Sequence, residues 1–247
     1  MRVSIVNFCS TAVEMLDFSS KMMQENAGTK DFDYIVVTWK PTPEVLVWIK
    51  EHPEVIQVEY QTNENLGYVP NLRAMMNSGF DAGYKLNDWV CVINTDMAFG
   101  RNWLLNLVRH AKENVIPNSI HLTPIHGPHV ITVDLGITTA KTFDFERFWK
   151  MHDKLYQDGI LTEEKRGGWL ACATFPYVLH RKWWECYGPW ETDLGEHQES
   201  PDRRFFRRCH EAGARFILVL DSICYHHEAV ERRGKRPPGL EHLPEGR

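Results

Sequence analysis

A buried strand that ends in polar residues is the first candidate for chemistry in this sequence. Residues 90–93 are four apolar residues in succession, which is typical of a strand buried on both faces of an α/β sheet. They lead directly into Asn94-Thr95-Asp96. Ligands of open α/β sheets bind beyond the carboxyl ends of the strands, where a fixed aspartate can hold a hard cation and, through it, phosphate oxygens. Asp96 is therefore either a metal ligand or the cap of a helix that begins near Arg101, and this stretch alone favours neither.

Three histidines form a second cluster of residues with metal-ligand chemistry. They are His121, His126 and His129. Their spacing is irregular, and neither a cysteine nor an acid accompanies them in a zinc-binding pattern. A polar loop is the better interpretation of this cluster.

The composition limits the classes of protein to which this chain can belong. With 247 residues, of which 43% are hydrophobic, the chain can bury the core of one large α/β domain. No stretch approaches the ~18 consecutive apolar residues of a membrane span, and we expect no signal peptide at the start. A net charge of −5 gives no general attraction to nucleic acid or to acidic membranes. The six scattered cysteines lack zinc-finger spacing, so we expect reduced thiols in a cytoplasmic protein.

Alternating strands and helices in the first hundred residues determine where Asp96 lies. Strands are predicted at residues 2–8, 33–39, 54–60 and 90–93, with helices between them. Their spacing of roughly 20–30 residues is typical of right-handed βαβ units and a largely parallel sheet. Asp96 is then expected at the carboxyl edge of that sheet.

The second half of the chain has a less regular pattern. Predicted helices cover residues 103–110 and 142–157, and predicted strands cover residues 119–124, 170–179, 215–220 and 222–226. Ser200-Pro201 begins a further helix with a capping residue and a proline in the first turn. We expect one domain over residues 1–229, with halves at 1–100 and 101–229, and a basic, disordered tail over residues 230–247.

Five short motifs, in order along the chain, carry a resemblance to a known family. They are the turn Asn65-Leu66-Gly67-Tyr68, the strand ending at Asn94-Thr95-Asp96, the segment from Gly168-Trp169-Leu170-Ala171 to His180-Arg181, the pair Gly188-Pro189-Trp190-Glu191 and Asp202-Arg203-Arg204-Phe205, and the closing Tyr225-His226-His227. Together they resemble the motifs of family-2-type glycosyltransferases, which have the GT-A (nucleotide-diphosphosugar transferase) fold. The resemblance covers residues 3–227, which is most of the chain.

Three positions depart from the family's motifs. Asn94 stands where the family's DxD motif has its first acid, so Asp96 is the acid that remains. Thr38-Trp39 replaces the acidic pair that usually follows the second strand. Pro201 stands where the family has a glutamate, whereas the aspartate that follows is kept as Asp202.

The resemblance implies a GT-A-like single domain, with a mostly parallel central sheet flanked by helices and a smaller acceptor-side half. It implies a metal-dependent, inverting enzyme of the hexosyltransferase type that moves a sugar from a nucleoside-diphosphate sugar to an acceptor hydroxyl. Asp96 and His226 would hold a divalent cation, Mn²⁺ or Mg²⁺, that neutralises the departing diphosphate. Asp202 would take the proton of the acceptor hydroxyl. Simpler interpretations remain: His226 as an ordinary strand-end histidine, and Asp202 as an acid favoured by the dipole at a helix start.

The predicted substrate-binding residues fall into two groups. Those for the donor follow the strand ends and the glycine turn, and they are Asn7, Phe8, Thr38, Trp39, Asn65, Gly67, Asn94 and Thr95. Those for the acceptor are Gly168, Trp169, Leu170 and Trp190. Trp39 is interpreted either as a stacking partner of the donor base or as a core residue.

Positive charge is concentrated beside Asp202. The residues are Arg203, Arg204, Arg207 and Arg208. Helix spacing prevents all four from facing one way, so some are solvated or salt-bridged. The local excess still indicates an anionic acceptor, such as an acidic polysaccharide, a lipid-linked glycan or a modified nucleic acid.

Two other classes of protein compete with the glycosyltransferase. A sugar nucleotidyltransferase usually has a Gly-rich, basic loop after its first strand, whereas Asn7-Phe8-Cys9-Ser10-Thr11 has no glycine and no lysine. A non-catalytic module that binds nucleotide sugars is compatible with the reduced motif at Asn94. The presence of both Asp202 and His226 argues against that module, although fold resemblance alone does not decide function.

Overall fold

The computed structural model describes residues 1–124, 130–133, 135, 140–192 and 200–227. The predicted tail at residues 230–247 lies outside these ranges, as do His126 and His129. Within the described ranges no helix is long and apolar enough to cross a membrane.

The first half of the chain forms four parallel strands joined by helices. The elements are β1 (Val3–Phe8), α1 (Val13–Glu25), β2 (Phe32–Thr38), α2 (Pro43–Glu51), β3 (Val55–Glu59), α3 (Tyr68–Leu86) and β4 (Trp89–Val92). β1 lies between β2 and β4, and β2 also pairs with β3, all in parallel. All six residues of β1 are buried, as the apolar pattern of an inner parallel strand requires. The predicted βαβ alternation is confirmed.

The second half of the chain completes the sheet with strands of both directions. Its elements are β5 (Met97–Phe99), α4 (Trp103–Val108), β6 (Val115–Thr123), β7 (Ile131–Thr132), α5 (Phe145–Leu155), β8 (Ile160–Thr162), α6 (Glu163–Arg166), β9 (Tyr177–His180), α7 (Arg181–Tyr187), α8 (Pro201–Glu211) and β10 (Arg215–His226). β9 is antiparallel to both β4 and β6, whereas β6 and β10 are parallel. The strand order is β3-β2-β1-β4-β9-β6-β10-β5.

Helices cover both faces of this sheet and create two apolar clusters. One cluster contains Leu16 of α1 and Leu104 of α4, together with residues from α2 and α5. The other contains Phe80 of α3 and Phe205 of α8, together with residues from α7. The predicted α/β class, with a central sheet flanked by helices, is confirmed.

Two predicted elements of the second half differ from the structure. The predicted strand at residues 170–179 is wrong in its first part, where Trp169–Cys172 forms a 3-10 turn and the strand begins only at Tyr177. Pro176 immediately precedes this strand, and a proline cannot donate to a strand ladder. The two strands predicted at 215–220 and 222–226 form one strand, β10, because a register shift between Val219 and Ile223 lets it continue beside β6.

Candidate active site

The pairing of β5 with β10 brings Asp96 and His226 together. Residues 93–96 connect β4 to β5, and β5 then pairs with the end of β10, so that Met97 is the register partner of His226. The Nε2 atom of His226 lies 2.9 Å from the Oδ1 atom of Asp96. The same nitrogen lies 3.2 Å from the side-chain amide of Asn94. A carboxylate, an imidazole and an amide therefore meet at the predicted edge of the sheet.

Asn7 and Thr95 fasten this turn to the end of β1. The Thr95 hydroxyl donates to Oδ1 of Asn7 at 3.0 Å and also contacts the carbonyl of Phe8. Asn7 in turn donates to the hydroxyl of Tyr34 at 2.9 Å. Asn7 is 0% and Thr95 is 2% exposed, so their side chains hold the turn in place and have almost no surface to offer a ligand. This placement differs from their predicted role as direct donor-binding residues.

Burial and hydrogen bonding act in opposite directions on the pKa of Asp96. Burial of this carboxyl, which is 7% exposed, raises its pKa, but the hydrogen bond and the charge of His226 outweigh that effect. The net pKa is lowered, so Asp96 is ionised at neutral pH. An ionised, buried carboxylate beside an imidazole nitrogen is a donor set for a cation.

His227 contacts this pair through its main chain, and its ring is packed between aromatic side chains. Its main-chain N–H donates to the carbonyl of Asp96 at 2.9 Å. Its ring lies against Phe18 and Phe143, at centroid distances of 5.7 and 5.5 Å. Burial lowers the pKa of His227 to about 4, so the ring is neutral at physiological pH. His227 directly follows the candidate metal ligand His226 in the sequence. In the structure its side chain is buried among aromatic residues.

Asp202 lines a separate pocket of about 260 Å³ in the acceptor half. It lies in the first turn of α8, directly after Pro201. Other lining residues include Leu170, Thr174, Tyr177, Arg203 and His121. Leu170 was predicted to bind the acceptor, and the structure does place it in the same pocket as Asp202.

His121 connects this pocket to the Asp96–His226 pair, and the sequence interpretation missed it. Its ring centroid is 5.1 Å from that of His226, and its side chain also lines the Asp202 pocket. The sequence analysis interpreted His121 together with His126 and His129 as part of a polar loop, and so did not place it next to His226. The available signal was its place in a predicted strand of the same sheet.

The remaining predicted acceptor residues have different surroundings. Trp169 is partly exposed, and its ring stacks on His210 at a centroid distance of 5.6 Å. Gly168 precedes it with φ of +120°, a conformation that favours glycine. Trp190 is 4% exposed and packs against Phe80 at 5.3 Å. In this structure Trp190 is therefore a core residue, because its ring has almost no surface for a sugar.

The ends of the first and second strands contribute less accessible surface than the sequence interpretation expected. Thr38 and Trp39 are both 0% exposed. The Trp39 ring stacks on Tyr68 at 5.3 Å, and its indole N–H donates to Thr62 at 2.8 Å. Core packing is therefore the interpretation of Trp39 that describes this structure. Phe8 is also buried, at 8% exposed.

The glycine turn before α3 is the accessible part of the predicted donor edge. Asn65 is exposed and Gly67 is partly exposed. The buried side chain of Asn71 organises this turn by donating to the carbonyls of Asn63, Leu66 and Gly67 at 3.0–3.1 Å. The sequence pattern did not indicate this role, because Asn71 lies inside a predicted helix.

The four arginines of α8 divide as helix spacing predicts. Arg204 and Arg208 contact the two carboxylate oxygens of Glu191 at 2.6 and 2.7 Å. Arg203 lines the Asp202 pocket, and Arg207 is exposed. Two other acids lie near Asp202 in the sequence. Glu191 lies between two guanidinium groups, which gives it a structural role, and Glu199 lies outside the described residues.

Asp96 and His226 offer one carboxylate and one imidazole nitrogen to a divalent cation. The 2.9 Å between Oδ1 of Asp96 and Nε2 of His226 is a hydrogen-bond distance, so in this structure the two atoms are paired with each other. Within the described ranges no group of three or more His, Cys, Asp or Glu side chains is arranged to hold a metal. Ions of this kind commonly complete their shell with water and substrate phosphates.

A larger groove of about 460 Å³ lies between α1 and residues 140–145. Its lining includes Glu14, Phe18 and Phe145, and contains none of Asp96, Asp202 or His226. The smaller pocket at Asp202 is therefore the candidate for the acceptor.

The chain has the GT-A-like glycosyltransferase fold. Residues 1–349 of TarS from S. aureus align with a TM-score of 0.58 at 10% identity, over 93% of this chain and 61% of that chain. TarS in complex with UDP aligns with a TM-score of 0.58 at 11% identity, over 92% and 60% of the two chains. The mannosyltransferase PcManGT from Pyrobaculum calidifontis, in complex with GDP-Man and Mn²⁺, aligns with a TM-score of 0.55 at 16% identity, over 94% and 58%.

These likenesses establish the fold alone, because the identities are low. The chain spans 58–61% of the length of these three solved chains. No family model and no curated protein matches the sequence.

Proposed function

We propose that the protein is a metal-dependent, inverting glycosyltransferase that moves a sugar from a nucleoside-diphosphate sugar to an acceptor hydroxyl. One observation carries the proposal. The buried Asp96–His226 pair and the Asp202 pocket are linked by His121, whose ring contacts His226 and whose side chain lines that pocket. A site for a departing diphosphate and a site for an incoming hydroxyl therefore lie side by side. The solved glycosyltransferases with UDP or with GDP-Man and Mn²⁺ support this assignment by their fold.

Asp96 and His226 are the residues that would hold the cation. When bound, Mn²⁺ or Mg²⁺ supplies positive charge that stabilises the departing diphosphate. The carboxylate suits either ion, and the imidazole favours Mn²⁺ over Mg²⁺. Asn94 lies close enough to His226 to orient its ring or to contact the donor.

Asp202 is proposed as the general base. It is partly exposed and lines the pocket, so an acceptor hydroxyl can reach its carboxylate. A single base on the face opposite the diphosphate takes the proton while the hydroxyl attacks the anomeric carbon, and this geometry inverts the anomeric configuration.

The acceptor is proposed to be anionic. Arg203 lies beside Asp202 in the pocket lining, whereas the charges of Arg204 and Arg208 are directed to Glu191. One guanidinium group is thus placed to attract a phosphate or carboxylate of the acceptor. We further propose a hexose donor and a cytoplasmic location, which rest on the sequence resemblance and on the reduced thiols.

Thermal-shift measurements with UDP-glucose, UDP-N-acetylglucosamine and GDP-mannose, each with Mn²⁺ and with chelator, test the proposal. Stabilisation by at least one nucleotide sugar in the presence of Mn²⁺, followed by release of its nucleoside diphosphate, is expected. Binding without any turnover in the presence of candidate anionic acceptors favours the non-catalytic module. No stabilisation by any of the three donors contradicts both.

A further inference from the structure

One wall of the Asp202 pocket is carried by a segment outside α8. Leu170 and Ala173 line the pocket from the 3-10 turn that follows α6 and from the residue after that turn. Asp202 and Arg203 line it from the first turn of α8. We call residues 163–173, which run from α6 through the glycine pair to this turn, the wall segment. The shape of the pocket therefore depends on how the wall segment is held relative to α8.

The carboxylate of Glu163 fastens the wall segment to two other elements. Its Oε1 atom accepts the main-chain N–H of Phe216 in β10 at 2.5 Å, and its Oε2 atom lies 2.9 Å from Nε2 of His210 in α8. Hydrogen bonds to a carboxylate are stronger than those between neutral groups. The carbonyl of Glu163 also accepts the N–H groups of Gly167 and Gly168, at 3.1 and 2.9 Å. Glu163 thus both anchors the start of the wall segment and closes the glycine turn within it.

His210 also holds the other arm of the same turn. Its ring stacks on Trp169 at a centroid distance of 5.6 Å and an interplanar angle of 25°. Trp169 shares the 3-10 turn with Leu170, so this contact bears on the leucine that lines the pocket. His210 therefore contacts the wall segment on both sides of the glycine pair, through a ring nitrogen before it and through the face of the ring after it.

The glycine pair itself adds little packing to the wall segment. Gly167 and Gly168 have φ of +90° and +120°, and a Cβ atom at either would meet no other atom of the described residues within 4 Å. The attachment of the segment comes from the residues on either side, of which Glu163 and Trp169 contact α8.

We propose that Glu163 and His210 are positioning residues, which hold the wall segment against α8 and so keep the pocket in the shape that binds the acceptor. The acceptor part of this inference rests on the proposed function. Neither residue is among those that line the Asp202 pocket, so both act through Leu170 and its turn.

The strength of these contacts sets the size of the expected effect. Loss of one hydrogen bond shifts the equilibrium between an attached and a detached wall segment roughly 10-fold. The apparent affinity for acceptor falls with the fraction of molecules in which the pocket is formed. His226 lies at the far end of β10 from Phe216, so the affinity for donor should not change.

Cys172, the last residue of the 3-10 turn, is a direct reporter of the wall segment. It is 0% exposed, and burial raises the pKa of its thiol to about 11. Because the thiolate is the reactive form, alkylation should be slow in the folded protein and should accelerate when the segment detaches. Iodoacetamide labelling is followed by mass spectrometry in a Cys186→Ser background, which removes an exposed thiol. Cys91, buried in β4, reports global unfolding in the same samples.

Four variants separate the contacts from the charge. Glu163→Ala removes both side-chain hydrogen bonds, and His210→Ala removes the group that contacts both arms of the turn. Glu163→Gln keeps the shape of the side chain and its ability to bond both partners. Glu164→Ala, at the next residue of α6, which is exposed, is the matched control.

We expect both alanine variants of the pair to raise the labelling rate of Cys172 at least roughly 10-fold, with little change at Cys91. Glu163→Gln should restore most of the protection, and Glu164→Ala should behave as the wild type does. Transfer is measured to oligogalacturonate and to glucose 6-phosphate, from the nucleotide sugar that stabilises the protein. The KM for acceptor should rise in the two alanine variants, while kcat and the donor affinity stay near the wild-type values.

Three results overturn the inference, and they have different meanings. If Cys172 gains no reactivity, or gains it only together with Cys91, the contacts do not position the wall segment, and the proposed function stands. Selective opening at Cys172 with an unchanged acceptor KM shows that the contacts are structural only. If the wild-type protein transfers sugar to neither probe, the proposed function with an anionic acceptor fails, and the acceptor role of Glu163 and His210 fails with it, whatever the labelling shows.

Discussion

The carboxylate of Asp96 and the imidazole of His226 lie 2.9 Å apart, although 130 residues separate them along the chain. Strand pairing produces this proximity: the three residues of β5 fold back against the end of β10 and fix the register between them. The main-chain hydrogen bond from His227 to the carbonyl of Asp96 closes the arrangement. The pair thus joins the turn at residues 93–96 to the end of β10, and the pairing of β5 with β10 sets the position of that turn.

Replacement of Asp96 by asparagine should remove cation-dependent binding of the donor. The amide keeps the shape of the side chain but has no charge to hold a divalent ion, so we expect the affinity for the nucleotide sugar in Mn²⁺ to fall to the value measured with chelator. Calorimetry with and without chelator measures this. Asp158→Asn, a change at an exposed acid beside Arg109, is the matched control. Equal donor affinity in wild type and Asp96→Asn argues against a metal role.

Replacement of Asp202 by asparagine should preserve donor binding and abolish most of the transfer. General-base assistance contributes ~10²–10⁴ in rate, so kcat should fall by that factor while the melting temperature changes little. Glu211→Gln, at the other end of α8, controls for loss of a negative charge on the helix. Normal turnover by Asp202→Asn means that Asp202 only stabilises the start of α8.

Replacement of Arg203 by glutamine should raise the KM for an anionic acceptor. The charge of an exposed guanidinium is screened over ~10 Å at 0.1 M salt, so the wild-type KM should rise with salt and the variant should respond less. Arg207→Gln, on the same helix, is the matched control. Titration from low to high salt, with donor KM followed in parallel, separates the two substrates. An acceptor KM that ignores salt in the wild type indicates a neutral acceptor.

His152 should make the protein less stable in mild acid. This ring packs against the main chain of Gly100 and is 2% exposed. Burial lowers the pKa of His152 below its ordinary value of 6.5, against the opposing hydrogen bond to Asp153. The unfolded chain therefore binds a proton that the folded protein resists, and stability falls as the pH drops from about 6.5 towards the folded-state pKa.

The contribution of His152 is measured by comparing His152→Gln with the wild-type protein. One proton changes the free energy of unfolding by at most ~1.4 kcal/mol per pH unit, and the variant should lose less stability than the wild type between pH 6.5 and 5. Urea denaturation at several pH values gives these free energies. His52→Gln, at the residue that follows α2, serves as the matched control for loss of a histidine. Parallel pH profiles for wild type and His152→Gln contradict the prediction.

The sequence predicted the alternating strands and the edge at which Asp96 lies, because apolar runs and strand periodicity are local properties. It also predicted that Asp96 and His226 would meet, through the order of motifs along the chain. It did not predict β5 or α7, since elements of three and seven residues are too short to show a period. The placement of Trp39 and Trp190 was equally inaccessible, because burial depends on which elements pack together and not on the residue's own neighbours in sequence.

The position of β9 limits how the proposed enzyme could admit its substrates. This strand is hydrogen-bonded to β4 on one side and pairs with β6 on the other, so the first and second halves of the chain share one continuous sheet. Within the second half, Thr174, just before β9, is held to β6 by donating from its main-chain N–H to the side chain of Asn118 at 3.0 Å. Two halves joined in this way cannot rotate apart as rigid bodies without breaking main-chain hydrogen bonds. In the proposed enzyme, donor entry and product release would therefore depend on movement of the segments that connect the strands, such as the turn at Gly167 and Gly168, where both residues have positive φ.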